Sequence, residues 1–229
     1  MKTIIITGAD GHLGRATVRK FLSEGYRVVA VDKSGSNLEI THARGEMELH
    51  ALDLSNEDAS EKFVNDIIGK HGTIEGALML VGGFAMGGIE TTTGEDLKKM
   101  YSLNFETAYF LARPLFRHMI QKGYGRLVFI GARPAIMPAQ GKGTVAYALS
   151  KSLLFNLADI LNAQAKGKNV VASVVVPSTI DTEINRKSMP EADPGNWVKA
   201  EQIAEVLEFI CSEKGLPLRE PVYKVYNNG

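Results

Sequence analysis

Tyr147 and Lys151 lie four residues apart in VAYALSKSLLFNLADIL, whose apolar pattern predicts a helix, so the two side chains share one face. An ammonium beside a phenol favours the phenolate and draws its pKa from about 10 towards neutrality, which makes such a tyrosine a usable general acid and base. An amide, Asn104, interrupts the apolar face of an earlier helical segment, about Gly94 to Gln121, that otherwise carries Leu97, Tyr101, Phe105, Ala108, Leu111 and Leu115. A buried amide must find hydrogen bonds. It is either satisfied locally or holds a water for chemistry.

These residues need a scaffold and a reactant, and the N-terminal stretch KTIIITGADGHLGRATVRKFL points to both. Thr3 to Ile6 read as a buried parallel strand that turns at once into a helical pattern. Gly8, Gly11 and Gly14 lie between strand and helix. One glycine makes the tight turn, a second lets backbone approach a pyrophosphate, and a third lets helix and strand pack closely. The helix from about His12 aims unpaired N–H groups at that anion. A second strand, about Arg27 to Val31, ends on Asp32, about 20 residues past the glycines, where a carboxylate accepts hydrogen bonds from an adenosine ribose and repels a 2′-phosphate. This favours NAD(H) over NADP(H), although Lys33 softens the exclusion.

A loop rich in Gly, Ser and Asn leads to a weak third strand, about Met47 to Ala51, followed by Asp53. Asp53 either contacts the adenine amino group or helps a cap formed by Ser55 or Asn56. A fourth strand runs into Gly82 and Gly83, which either put bare backbone beside the switch point or form a flexible loop; Phe84 and Met86 either face substrate or pack. A sixth strand stops at Pro177, and Thr179 and Thr182 come next, within reach of a nicotinamide amide. Met189, Pro190 and Trp197 then form either a lid or surface packing. A helix from Ala200 to Ser212 and a strand from Val222 to Tyr226 end the chain.

The 229 residues, 45 % hydrophobic and 23 % charged, suit one soluble α/β domain spanning 1–229. Twenty-six basic side chains balance twenty-six acidic ones without a basic run, so no nucleic-acid partner is expected. Cys211 is alone and sits in an apolar helical pattern, and no stretch resembles a signal peptide or a membrane span. The expectation is a core cysteine in a cytoplasmic protein that contacts no membrane. His12, His42, His50, His71 and His118 stand at no ligand spacing, so no metal is expected. Neither a Gly-x-Ser-x-Gly elbow nor a phosphate loop ending in Gly-Lys-Ser/Thr occurs, which argues against hydrolase and kinase chemistry.

Taken in order, Thr7 to Gly14, Asp32, Asp53, Asn104, the Tyr147-Ala-Leu-Ser-Lys151 motif and the Pro177 to Thr182 segment resemble the short-chain dehydrogenase/reductase family over essentially the whole chain. The resemblance implies a doubly wound Rossmann domain with a seven-stranded parallel sheet in the order 3-2-1-4-5-6-7, flanked by helices. It implies NAD(P)(H) as cofactor and a small-molecule substrate whose oxygen exchanges a proton with Tyr147. Lys151 would hold the nicotinamide ribose and tune Tyr147, Asn104 would anchor a relay water, and Thr182 would orient the carboxamide. The cofactor would also touch Gly8, Asp10, Gly11, His12, Leu13, Gly14, Asp32, Asp53, Leu54, Gly82, Gly83, Pro177, Thr179 and Ile180. The helix faces around Asn104 and Tyr147 would pack against partner chains, giving a homodimer or homotetramer.

Three departures stand out. Gly82-Gly83-Phe84 replaces the family's Asn-Ala-Gly, Pro177-Ser178 replaces Pro-Gly, and the serine that donates to a substrate carbonyl is missing, its place falling at Ala132 or Pro134. Losing such a donor typically costs about 10² to 10³ in rate. Gly82, Gly83, Phe84 and Ala85 are similar to a run in the dihydropteridine reductase branch, which also lacks that serine and reduces a quinonoid acceptor. Arg133 is a candidate replacement donor. A dinucleotide sensor or scaffold with little activity is the rival expectation.

Overall fold

The computed structural model describes residues 1–34, 38 and 44–228. His42 and most of the loop rich in Gly, Ser and Asn lie outside the described residues. Seven parallel strands, β1 (Thr3–Thr7), β2 (Arg27–Asp32), β3 (Glu46–Ala51), β4 (Gly76–Met79), β5 (Tyr124–Ile130), β6 (Asn169–Pro177) and β7 (Val222–Val225), form one sheet in the order 3-2-1-4-5-6-7. The expected topology is therefore the one found. The order reverses between β1 and β4, and at that switch point the carboxyl ends of the strands open a crevice.

Parallel strands need cover on both faces, which is why β1 and β6 are almost wholly buried runs of branched residues. On one face, Phe63 and Ile67 of α2 (Glu57–His71), Leu111 and Leu115 of α4 (Thr107–Lys122) and Leu154 and Ala158 of α6 (Val145–Gln164) form the core. On the other, Val18 and Phe21 of α1 (His12–Ser23) meet Ile203 and Leu207 of α8 (Ala200–Cys211). Cys211 is buried in that second core, as its sequence context implied.

The segment expected as one helix from about Gly94 to Gln121 is three pieces: α3 (Gly94–Tyr101), a π-helical turn (Ser102–Glu106) and α4. A capping box of Thr93 and Asp96 starts α3. The wide turn inserts one residue into the helical register and so rotates α4 relative to α3. The expected apolar stripe accordingly divides: Leu97 and Tyr101 are exposed, whereas Ala108, Leu111 and Leu115 are buried. Asn104 sits in the middle of that turn.

Two short helices, α5 (Arg133–Ile136) and α7 (Glu183–Ser188), come after β5 and β6 at the crevice. Among the described residues, no helix is long and apolar enough to cross a membrane.

Candidate active site

The β1–α1 turn forms one wall of the crevice. Gly8 has φ +61°, a conformation that disfavours side chains. A Cβ on Gly14 would lie 2.0 Å from the Gly8 carbonyl oxygen, so the helix packs on the strand only because that position is bare. Gly11 caps α1 without a side-chain hydrogen bond, which leaves the first-turn N–H groups of His12, Leu13 and Gly14 facing the crevice edge without a capping side chain. Leu13 packs under this turn against the apolar residues of α1 and α8. The Asp32 carboxylate accepts from the Asp10 backbone N–H at 3.2 Å, which fixes it beside the glycine turn. These are the features a dinucleotide diphosphate and ribose require, and the residues present fit that group.

Next to this wall lies a cavity of about 340 Å³ lined by Asp32, Lys33, Asp53, Leu54, Val81 and Lys99, among others. Lys33 pairs with Asp53 at 2.8 Å. The Lys33 ammonium and the Ser55 hydroxyl and N–H hold the Asp53 carboxyl down at about 2. Of the two candidate caps, Asn56 and not Ser55 caps α2, by accepting from the Ala59 N–H, and Asp53 accepts from the Ser55 N–H and hydroxyl beside it.

On the other side of β4 the proposed catalytic residues meet. Asn104 is fully buried and satisfied: its Oδ1 accepts from Gly83 N–H at 2.8 Å, and its Nδ2 donates to Gly83 O at 3.1 Å and Ser150 Oγ at 3.0 Å. Ser150 in turn donates to the Tyr147 carbonyl. Lys151 is buried and donates to Ile130 O, at the end of β5, at 2.8 Å. A Cβ on Gly82 would stand 2.8 Å from Asn104 Oδ1 and 2.9 Å from Lys151 Nζ, so only a bare backbone passes between them. A Cβ on Gly83 would strike Leu103. Gly82 and Gly83 are therefore a tight passage rather than a loose loop.

Phe84 packs edge-on to Tyr147, with ring centroids 5.0 Å apart, while most of its own ring stays exposed. Burial pushes the Tyr147 phenol up to about 12 and the Lys151 ammonium down to about 8. In the free chain the ammonium is thus turned to a carbonyl, and the lowered phenol expected from the spacing is not seen.

The third wall is the chain after β6. Thr179 O accepts from Val198 N–H, Ile180 bridges to Val198, and Thr182 caps α7 by accepting from Asn185 N–H. The Arg186 guanidinium, paired with Asp181, holds its carboxyl below the usual carboxylate range. Trp197 is buried and belongs to the packing, whereas Met189 and Ile184 are exposed. Arg133 donates to Gln140 and lies over the Tyr226 ring, with its guanidinium carbon 5.2 Å from the ring centre. Ala132, after β5, is buried and brings no hydroxyl. Among the described residues, no three His, Cys, Asp or Glu side chains converge to hold a metal.

Residues 2–193 match the model of the family described as short chain dehydrogenase. The chain belongs to that family. It is 24 % identical over 226 residues to the 3-oxoacyl-acyl-carrier-protein reductase FabG of Thermotoga maritima, covering 93 % of this chain and 91 % of that protein. Against the meso-2,3-butanediol dehydrogenase of Serratia marcescens it is 26 % identical over 227 residues, covering 93 % and 88 %. The fold superposes on NAD+-bound xylitol dehydrogenase with a TM-score of 0.85 at 16 % identity, over 99 % of this chain and 98 % of the other.

In this short-chain dehydrogenase, sequence spacing did not reveal Ser150 as the bridge between Asn104 and Tyr147, nor the Lys33–Asp53 pair. The helical offset between Tyr147 and Ser150 was a usable signal for the first. The second joins the ends of two neighbouring strands, which spacing alone does not show.

Proposed function

We propose that this chain is an NAD(H)-preferring oxidoreductase, built as one domain, that interconverts a small carbonyl or quinonoid compound and its reduced form. The observation that carries the reading is the convergence of Lys151 and Asn104 on the bare Gly82 backbone, with Tyr147 packed on Phe84 two residues further along the same loop, beside the glycine turn and Asp32. When bound, the nicotinamide supplies or accepts the hydride. Tyr147 supplies the proton: a phenol pushed up by burial keeps its hydrogen at neutral pH, as reduction requires. Lys151, still charged at pH 7, is the group that holds the nicotinamide ribose, and Asn104 fixes the Gly83 backbone and the start of α6.

The Gly11–Gly14 turn carries the diphosphate, Asp32 the adenosine ribose, Asp53 and Leu54 the adenine side, and Pro177, Thr179, Ile180 and Thr182 the nicotinamide side. The names of the relatives support an oxo or hydroxyl group as the reacting centre. The Gly82-Gly83-Phe84 run supports a flat quinonoid, pterin-like acceptor. The exposed faces of Leu97, Tyr101, Leu149 and Ile160 support a homodimer or homotetramer, and the lone buried Cys211 suits the cytoplasm. The absence of a hydroxyl at Ala132 favours a second reading, a dinucleotide sensor.

Titration with NADH and NADPH, combined with cofactor oxidation against a panel of diketones, quinones and quinonoid dihydropterin, tests these readings. NADH binding with turnover of one class is expected. Binding without any turnover supports the sensor, and no binding of either cofactor rejects both.

A further inference from the structure

We propose that Thr144 is the hydrogen-bond donor to the substrate oxygen, taking the place of the hydroxyl missing at Ala132. This rests on the oxidoreductase reading above. Thr144 is only 8 % exposed, and its Oγ1 is buried without a hydrogen-bond partner among the described residues. Buried hydroxyls left unpaired are uncommon and destabilise a fold, so one beside a catalytic residue marks a place where a ligand completes the bonding. The residue is also the N-cap of α6, yet its side chain makes no cap bond, which is the usual use of a threonine there.

The position of Thr144 is set by the loop after β4, which runs along α6 one turn at a time. Gly82 abuts Lys151, Phe84 packs on Tyr147, and Gly87 bridges Thr144, with Gly87 N–H donating to Gly143 O and Val145 N–H to Gly87 O. Lys151, Tyr147 and Thr144 therefore border the same loop on the same side of α6, whereas Ala146, Leu149 and Leu153 face a different groove beside α3. Thr144 caps the first turn of α6, its carbonyl accepting from Ala148 N–H at 2.8 Å, which holds it at the turn that carries Tyr147.

Ser150 is engaged with Asn104 and Tyr147 O and Ser178 with Tyr226 O, and Thr182 accepts from Asn185 N–H; the Tyr226 hydroxyl is also unpaired among the described residues, but it belongs to a ring covered by Arg133 and not to the loop that runs along α6. Arg133 is turned to Gln140 and Tyr226. In a reduction the hydride goes to the carbonyl carbon and the proton comes from Tyr147 Oη. Thr144 keeps its own proton and lends only a hydrogen bond, which strengthens as charge builds on the oxygen. The assignment selects carbonyl compounds over quinonoid acceptors that need no such donor.

The test compares wild type, Thr144→Val and Thr144→Ser with NADH and two carbonyl probes, 2,3-butanedione and ethyl acetoacetate. Thr144→Val should lower kcat/KM about 10- to 100-fold, chiefly through kcat, while Thr144→Ser stays within a few-fold of wild type. NADH affinity should not change, and the melting temperature of Thr144→Val should equal or exceed that of wild type, because an unpaired hydroxyl is removed. Wild-type turnover in Thr144→Val, or a melting temperature several degrees lower, would overturn the assignment. So would a wild-type enzyme that binds NADH and reduces neither carbonyl. The oxidoreductase reading fails separately, if neither NADH nor NAD+ binds or if Tyr147→Phe turns over as wild type does.

Discussion

Replacing Lys151 with methionine should separate what the ammonium does for stability from what it does for turnover. The side chain is buried, its ammonium is pushed down to about 8 from 10.5, and it donates to Ile130 O. Burial therefore disfavours the charged form by roughly 3 kcal/mol. The unfolded chain keeps this proton up to its ordinary pKa, while the folded chain releases it near pH 8, so the unfolded state binds more protons between the two values. Stability must then rise with pH across that window.

Between about pH 7 and pH 9.5 the free wild-type protein should gain about 2 kcal/mol relative to Lys151→Met, which is about 4–8 °C in melting temperature. At pH 7 the variant should be the more stable of the two by about 1–2 kcal/mol, once the lost bond to Ile130 O is subtracted. Other titrating groups cancel in the difference. Denaturation of both proteins at several pH values provides the measurement. A difference that stays flat, or that moves against wild type as pH rises, would refute the reasoning. Turnover of Lys151→Met should be lost throughout.

Other perturbations probe the cofactor wall. Asp32→Ser removes the carboxylate fixed beside Asp10 N–H and should raise the ratio of kcat/KM for NADPH over NADH at least about 10-fold; an unchanged ratio would remove Asp32 from the ribose site. Gly14→Ala places a methyl 2.0 Å from Gly8 O, which should lower stability by about 1–3 kcal/mol and weaken NADH binding about 10-fold or more, read by calorimetry and fluorescence titration.

Much of this arrangement was legible in the chain because it is written in short-range patterns. The run Thr3 to Ile6 with Gly8, Gly11 and Gly14 after it announces a strand, a turn and a helix, and Gly8 and Gly14 have the steric reasons expected of them. The sheet order came from the resemblance those motifs carry. Features that arise when distant segments meet were not legible. Helical periodicity over Gly94 to Gln121 is nearly the same with or without one inserted π turn, so the turn at Asn104 was invisible, although the amide's need for partners was plain from its place on an apolar face.

The spacing of Tyr147 and Lys151 placed both on one face of α6 but not the Ile130 carbonyl that claims the ammonium, because that carbonyl belongs to β5. The unpaired state of the Thr144 hydroxyl is likewise a property of packing, not of sequence.

The most direct test of the central claim is turnover by Tyr147→Phe, with NADH affinity measured on the same preparation. Removing one hydroxyl from a ring that Phe84 already packs against leaves the cavity and the glycine turn intact. The expected result is NADH binding within about two-fold of wild type and a loss of kcat of at least about 10³. Wild-type turnover by Tyr147→Phe would contradict the assignment of the phenol as proton donor.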